Sequence, residues 1–271
     1  MNTLIDIGGR RLALNCTGAG TPTVILETGL GAESDEWAAV QEAVQTFTRV
    51  CRYDRAGRGA SDPAVRRRSA AEMVEDLHVL LRTADIRGPY VLVGHSFGGL
   101  LMRLFAQRFP QEVRSLVLVD SMHEDQFEVF GPTFPPATAE DPSPLRAVRA
   151  FWTGGWRTPE STAEGIDFVA SLAQGRAIES LYDLPIHVLT AGTFLNQPLV
   201  PAAHRKDLQN RWDALQARFL ELSSTVTQTI VHRSGHFMQR NCPEVIVEAI
   251  AQAVGRSVRA GERSPEAVVV L

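Results

Sequence analysis

The stretch "YVLVGHSFGGLLMRLF", residues 90–105, constrains what this chain can fold into more than any other. Val91, Leu92 and Val93 make a β-branched apolar run of the kind found in buried strands, and the residues from Gly98 onward repeat with helical spacing. Ser96 stands at the junction, with Gly94 two places before it and Gly98 two places after. A strand that becomes a helix within so few residues crowds its own backbone. Glycine on both sides removes the side chains that would clash, and the turn leaves the serine standing clear of the main chain. The helix that follows points its positive end at that serine, which suits a developing negative charge. A serine placed so is a nucleophile in waiting, needing only a base to take its proton.

The rest of the chain alternates the same two kinds of element. "RRLALNC", "TVILETG", "TRVCRYD", "VRSLVLVD", "PIHVLTAG" and "TQTIVHRSGH" read as strands bounded by turn residues. Between them, "EWAAVQEAVQTF" puts Trp37, Val40, Val44 and Phe47 on one helical face. "SAAEMVEDLHVLLRTAD" is a helix with Ser69 as N-cap and Glu72 three places on, the pattern of a capping box. "HRKDLQNRWDALQARFLEL" is a long helix and "CPEVIVEAIAQAV" the last, with Pro243 in its first turn. Alternation of this kind predicts an α/β fold, a mostly parallel sheet with helices on both faces.

The rhythm breaks between 121 and 180, where Pro132, Pro135, Pro136, Pro142, Pro144 and Pro159 are joined by Phe127, Phe130, Phe134, Phe151, Trp152, Trp156 and Phe168. A loop so long and so aromatic is not a bare connection, and disordered segments are poor in such rings. The expected organisation is a core of residues 1–120 and 181–255, a helical lid inserted at 121–180, and a loosely ordered tail from 256 to 271.

"YDRAGRGASD" (53–62), "GHSFGG" (94–99), "LVLVDS" (116–121) and "SGHF" (234–237) together resemble the α/β-hydrolase family, and the similarity runs from the first strand to about residue 254. The resemblance implies a nucleophile, acid and base in that chain order, with the base in the loop after the last strand. Of seven histidines, His236 occupies that place. His95, directly before the serine, resembles the family's usual elbow residue, with a structural role.

The acid is the less ordinary decision. Much of the family carries an aspartate after the strand here at 186–190, yet no carboxylate follows it until Asp207. Asp120 instead ends the strand before the lid, at a carboxyl edge where parallel sheets gather their functional groups. Haloalkane dehalogenases and zearalenone lactonases are similar in this respect. Glu124 and Asp125 are the local rivals. For the oxyanion, the resemblance implies two backbone N–H groups, those of Phe97 and of Leu30 in "TGLG", where Thr28 replaces the more usual histidine. Ser96, His236 and Asp120 would then perform acyl transfer with no metal or organic cofactor.

Composition narrows the partners. Charged residues make up 21% of the chain and the net charge is −4, which gives no basic footprint for nucleic acid. The chain contains no run of ~18 apolar residues that would span a membrane. Cys16, Cys51 and Cys242 form no Cys-x-x-Cys pair and read as buried free thiols, which fits a reducing cytoplasm. "RRRS" at 66–69 reads as a solvated basic run. The aromatic lid predicts an apolar pocket lined by Phe127, Phe130, Phe134, Trp152 and Trp156, and hence a hydrophobic ester or lactone as substrate. Amide, carbamate and carbon–carbon hydrolysis and perhydrolysis use the same residues. A non-catalytic ligand receptor is the reading from another class.

Overall fold

A computed structural model describes residues 2–134, 137–162, 164–193, 202–256 and 267–270. Among them nine strands form one sheet: β1 (Thr3–Asp6), β2 (Arg11–Thr17), β3 (Val24–Glu27), β4 (Val50–Tyr53), β5 (Tyr90–His95), β6 (Val113–Val119), β7 (Ile186–Ala191), β8 (Val226–Val231) and β9 (Ala267–Val270). Their spatial order is β1-β2-β4-β3-β5-β6-β7-β8-β9. From β4 to β8 every pairing is parallel, while β1, β2 and β9 join antiparallel at the edges.

The helices are α1 (Ala38–Val44), α2 (Ala70–Thr83), α3 (Phe97–Arg108), α4 (Gln126–Phe130), α5 (Ser143–Thr153), α6 (Phe168–Arg176), α7 (Ala202–Ala217), α8 (Met238–Asn241) and α9 (Pro243–Ala253). The period of two along each strand decides which of them it meets. Val91 and Val93 turn to one face with Val117 and Val119, against Trp37 and Val40 beside and on α1 and Ile246 and Ile250 on α9. Leu92, Leu116 and Leu118 turn to the other face, against Met73 and Leu77 of α2, Leu101 and Phe105 of α3 and Leu172 of α6. Each such side chain, removed from water on both sides of the sheet, contributes about 1.5–3 kcal/mol.

Helix α2 starts where its capping box predicts, with Glu72 accepting the Ser69 backbone N–H at 2.8 Å. Two more of its orphan amides are met from α6, where Ser171 Oγ accepts from Ala70 and Gln174 Oε1 from Ala71, both at 2.9 Å. The segment between β6 and β7 is thus tied into the sheet domain by its last helix.

Three expectations are corrected. Cys16 and Cys51 are not free thiols: β2 and β4 pair antiparallel with the two residues directly opposite, and a disulfide joins them. Their separation of 35 residues hid a pairing that only sheet order reveals, and Cys242 alone is a buried thiol. The tail is not wholly irregular either, because Ala267–Val270, a β-branched run, pairs antiparallel with β8. Residues 257–266 lie outside the described residues. Finally, the basic run is only partly solvated, since Arg68 is 3% exposed and donates to Ala56 O at 2.9 Å. No helix among the described residues is long and apolar enough to cross a membrane.

Candidate active site

Ser96 caps α3 at φ 52° and ψ −121°, a positive-φ conformation outside the left-handed helical well that costs a non-glycine residue about 1–3 kcal/mol. Neighbouring backbone holds it there. Its N–H donates to Val119 O at 3.1 Å, and its carbonyl accepts from Gly99 N at 2.9 Å and Met122 N at 2.8 Å. The flanking glycines are needed for the reason the sequence gives. A Cβ on Gly94 would stand 2.5 Å from Gly98 O, and one on Gly98 would stand 2.6 Å from Thr28 O.

The carboxyl end of β6 brings Asp120 beside this turn, fully buried and at φ 43°. Its Oδ1 accepts from Ala191 N at 2.9 Å and from Trp212 Nε1 at 2.7 Å. Its Oδ2 lies 2.6 Å from His236 Nδ1. A carboxylate only accepts, so Nδ1 carries the hydrogen and the neutral imidazole keeps its lone pair at Nε2. Glu124 and Asp125 are engaged elsewhere, Glu124 with Arg103 at 2.9 Å and Asp125 with Arg176 at 2.8 Å and Arg218 at 2.7 Å. The structure therefore brings Asp120, and neither rival, to His236.

The ring of His236 sits among other rings, 4.7 Å from His95 and 5.3 Å from Phe237 between centroids. His95 serves as its strut: Nε2 donates to the carbonyl of His236 at 2.8 Å. Burial holds the His95 pKa well below its ordinary value, so this ring stays neutral.

Ser96 and His236 share one cavity of about 360 Å³ at the carboxyl ends of the central strands. Its walls include Leu30, Met122, Phe127, Phe151, Trp152 and Phe237, with Glu36, Gln126 and Arg240 as polar members. Two of the five expected lining residues, Phe127 and Trp152, are in place. The other three are not. Phe130 is buried against Leu208 and Trp212, Phe134 packs on that same cluster, and Trp156 stacks behind Phe127 at 5.0 Å between centroids. Aromaticity marked the segment, but the helical phase of α4 decided which rings turn inward. Phe151 and Phe237, each next in sequence to a residue that had been singled out, are the lining rings that the sequence reading missed.

The backbone N–H groups of Phe97 and Leu30 donate to no protein acceptor among the described residues. Leu30 belongs to the turn after β3, and a Cβ on its neighbour Gly29 would lie 3.3 Å from Ser96 Cβ, so this turn passes directly over the serine.

Beneath the turn lies a buried charge cluster centred on the arginine of "YDRAGRGASD". Arg55 is 2% exposed and pairs with the side chains of Glu27, at 2.5 Å, and Glu164, at 2.6 Å. Burial pushes the Glu27 carboxyl above its usual range. Burial pushes Glu164 the same way, but Arg55, the Gly31 N–H and Arg68 together hold Glu164 below. No group of His, Cys, Asp and Glu among the described residues is arranged to hold a metal ion.

Residues 22–174 match the model of the alpha/beta hydrolase fold family. A putative carbamate hydrolase of Azorhizobium caulinodans is 36% identical over 103 residues, 38% of each chain. The chain spans less than half the length of the first curated relatives it matches, 20% of one and 41% of another. Among solved structures, mouse alpha/beta hydrolase domain-containing protein 10 superposes with a TM-score of 0.67 at 17% identity, covering 94% of this chain and 98% of that one. A thermophilic esterase from Thermogutta terrifontis superposes with a TM-score of 0.61 at 21% identity, covering 93% and 97%.

Proposed function

The chain belongs to the alpha/beta hydrolase family, and from that premise we propose that it is a serine hydrolase cleaving carboxylic esters or lactones of hydrophobic, small-to-medium substrates. The observation that carries this reading is the 2.6 Å contact of His236 Nδ1 with Asp120, made in the cavity that Ser96 also lines.

The steps follow from the donors and acceptors. Asp120 fixes the His236 tautomer with the hydrogen on Nδ1, and Nε2 takes the Ser96 proton as Oγ attacks the carbonyl carbon. The carbonyl oxygen becomes an oxyanion beneath the N–H groups of Phe97 and Leu30. His236 returns the proton to the departing alcohol, leaving an acyl-serine. Water, deprotonated by the same imidazole, then releases the acid and restores Ser96.

A volume of about 360 Å³ lies toward the low end for small-molecule sites, and the six apolar walls favour an uncharged acyl group. In this reading residues 121–180 act as a lid, because Phe127, Phe151 and Trp152 come from that segment and roof the cavity. The carbamate hydrolase among the relatives makes carbamates the second substrate class to assay. Cytoplasmic location, expected from free thiols, loses that support with the Cys16–Cys51 bond.

The test is covalent labelling. A fluorophosphonate probe should modify Ser96, short p-nitrophenyl esters should turn over, and Ser96→Ala should abolish both. An unlabelled Ser96 in the folded protein removes the hydrolase reading. Labelling without turnover of any ester, lactone or carbamate leaves the ligand-receptor reading in its place.

A further inference from the structure

We infer that Arg55 and Glu164 are the positioning residues of the oxyanion hole, and that through Glu164 the segment between β6 and β7 controls whether the Leu30 amide is aimed at Ser96. The inference rests on the hydrolase reading above.

One guanidinium ties the turn down. Arg55 Nη1 donates to Thr28 O at 2.8 Å and Nη2 to Gly29 O at 2.7 Å. Nε and Nη2 also reach the two carboxylate oxygens of Glu164, at 2.8 and 2.6 Å, and Nη1 reaches Glu27 at 2.5 Å. All five N–H bonds are thereby committed. Two of them grip main-chain carbonyls of the turn that carries Leu30.

The Gly29 carbonyl belongs to the same peptide unit as the Leu30 N–H. A trans peptide is planar, with its C=O and N–H pointing in opposite directions. Fixing the oxygen of Gly29 therefore fixes the direction of the Leu30 hydrogen. The next peptide is held from the other side, because Glu164 Oε1 also accepts the Gly31 N–H at 2.7 Å. Both peptide planes flanking Leu30 are pinned by one ion pair. Where the family more usually places a histidine this chain has Thr28, whose Oγ1 takes a further Arg55 contact at 3.1 Å.

The two partners come from different parts of the molecule. Arg55 follows β4 in the sheet domain and Glu164 lies between α5 and α6 in the proposed lid. Moving that part of the segment would release Gly31 N–H and strip Arg55 of its bidentate partner, leaving the Leu30 peptide held only through an arginine that has lost half of its own anchoring. The oxyanion hole is complete only with this segment seated.

The test compares the wild-type protein with Glu164→Gln and Arg55→Lys. Glutamine keeps the shape but turns an NH2 on donors, and lysine has three donors on one nitrogen where Arg55 makes five bonds from three. The expected result is a fall in kcat for p-nitrophenyl butyrate of roughly 100-fold, the size of a single lost oxyanion donor, with KM within about threefold. Affinity for a trifluoromethyl ketone analogue, whose adduct with Ser96 carries the oxyanion, should fall by the same factor. Affinity for the unreactive ether analogue should not change. A purely structural role would weaken both analogues alike and overturns the inference. So does kcat within threefold of wild type, or a fall in kcat with ketone affinity intact. Should Arg55→Lys fail to fold, the nearly isosteric Glu164→Gln decides alone. A wild-type protein inert to fluorophosphonate and esters refutes the hydrolase reading itself, and this inference with it.

Discussion

Replacing Asp120 by asparagine separates the electrostatics of the site from its architecture. The carboxylate accepts from Ala191 N, Trp212 Nε1 and His236 Nδ1. An asparagine amide has one accepting oxygen and must choose. Turning its NH2 toward Ala191 and Trp212 sets two buried donors against donors, at about 1–3 kcal/mol each. The oxygen therefore stays on those two, and the NH2 faces His236. Nδ1 must then accept, so the hydrogen moves to Nε2 and nothing remains to take the Ser96 proton. The wrong tautomer costs about four powers of ten in turnover, near 5.5 kcal/mol at 1.36 kcal/mol per tenfold. The fold loses far less, ~1–3 kcal/mol for one charge-assisted contact. Turnover of p-nitrophenyl butyrate measures the first figure and calorimetric melting the second, while the 15N shifts of His236 report the tautomer directly. A folded Asp120→Asn protein within tenfold of wild-type turnover refutes the assignment, as does a matching loss in Asp125→Asn.

Replacing both Cys16 and Cys51 with alanine should lower urea-unfolding stability by ~3–4 kcal/mol, the chain-entropy expectation for a crosslink spanning 35 residues, while Ser96 remains labelled in the folded protein. Burial, helped by Arg103 and Arg218 against Glu124, pushes the His123 imidazole down to about 4. The unfolded chain binds that proton below about 6.5 and the folded chain does not until about 4, so stability falls as pH drops across this window, by up to ~3 kcal/mol. His123→Gln should flatten that slope in denaturant titrations at pH 4.5 and 7. Gly98→Ala should cut turnover at least tenfold while costing only ~1–3 kcal/mol in melting experiments, because its Cβ would press at 2.6 Å on the Thr28 carbonyl that Arg55 holds.

Local rules carried the sequence reading as far as they reach. The strand–serine–helix turn, the Ser69 capping box and the placing of His236 in the loop after β8 depend on residues close in sequence, and each stands where it was expected. The contact of Asp120 with His236 was legible by elimination, since no carboxylate follows β7 before Asp207. The misses share one cause, which is that they are pairings across the fold. Cys16 meets Cys51 only because β2 inserts beside β4, and Arg55 meets Glu164 across 109 residues. Phe130 and Trp156 are as aromatic as Phe127, and only the packing of α4 on α7 and the 155–157 turn decides which ring faces the cavity. The Thr28 departure from the family pattern was visible as a missing anchor. Its replacement was not, because an arginine in a glycine-rich loop names no partner.

In the proposed mechanism the position of the acid follows from how two strained turns are joined. Ser96 and Asp120 both sit at positive φ, a cost of about 1–3 kcal/mol each if nothing opposed it. They are stitched together: Ser96 N donates to Val119 O, just before Asp120, and Ser96 O accepts from Met122 N, just after it. The Asp120 turn after β6 is thus the hydrogen-bonded partner of the Ser96 turn after β5, and β7 supplies from Ala191 only a backbone donor to the carboxylate. A carboxylate placed after β7 would act on the same imidazole from one strand further away and would leave that partnership without a charge at its centre. In this chain Asp120, which contacts His236 Nδ1, also borders the bonds holding Ser96 in its strained turn, so the two cannot drift apart independently. Moving the acid to position 192, as Asp120→Asn with Gly192→Asp, would set a Cβ 2.5 Å from the His232 Cα and cannot restore activity without moving the loop that carries His236.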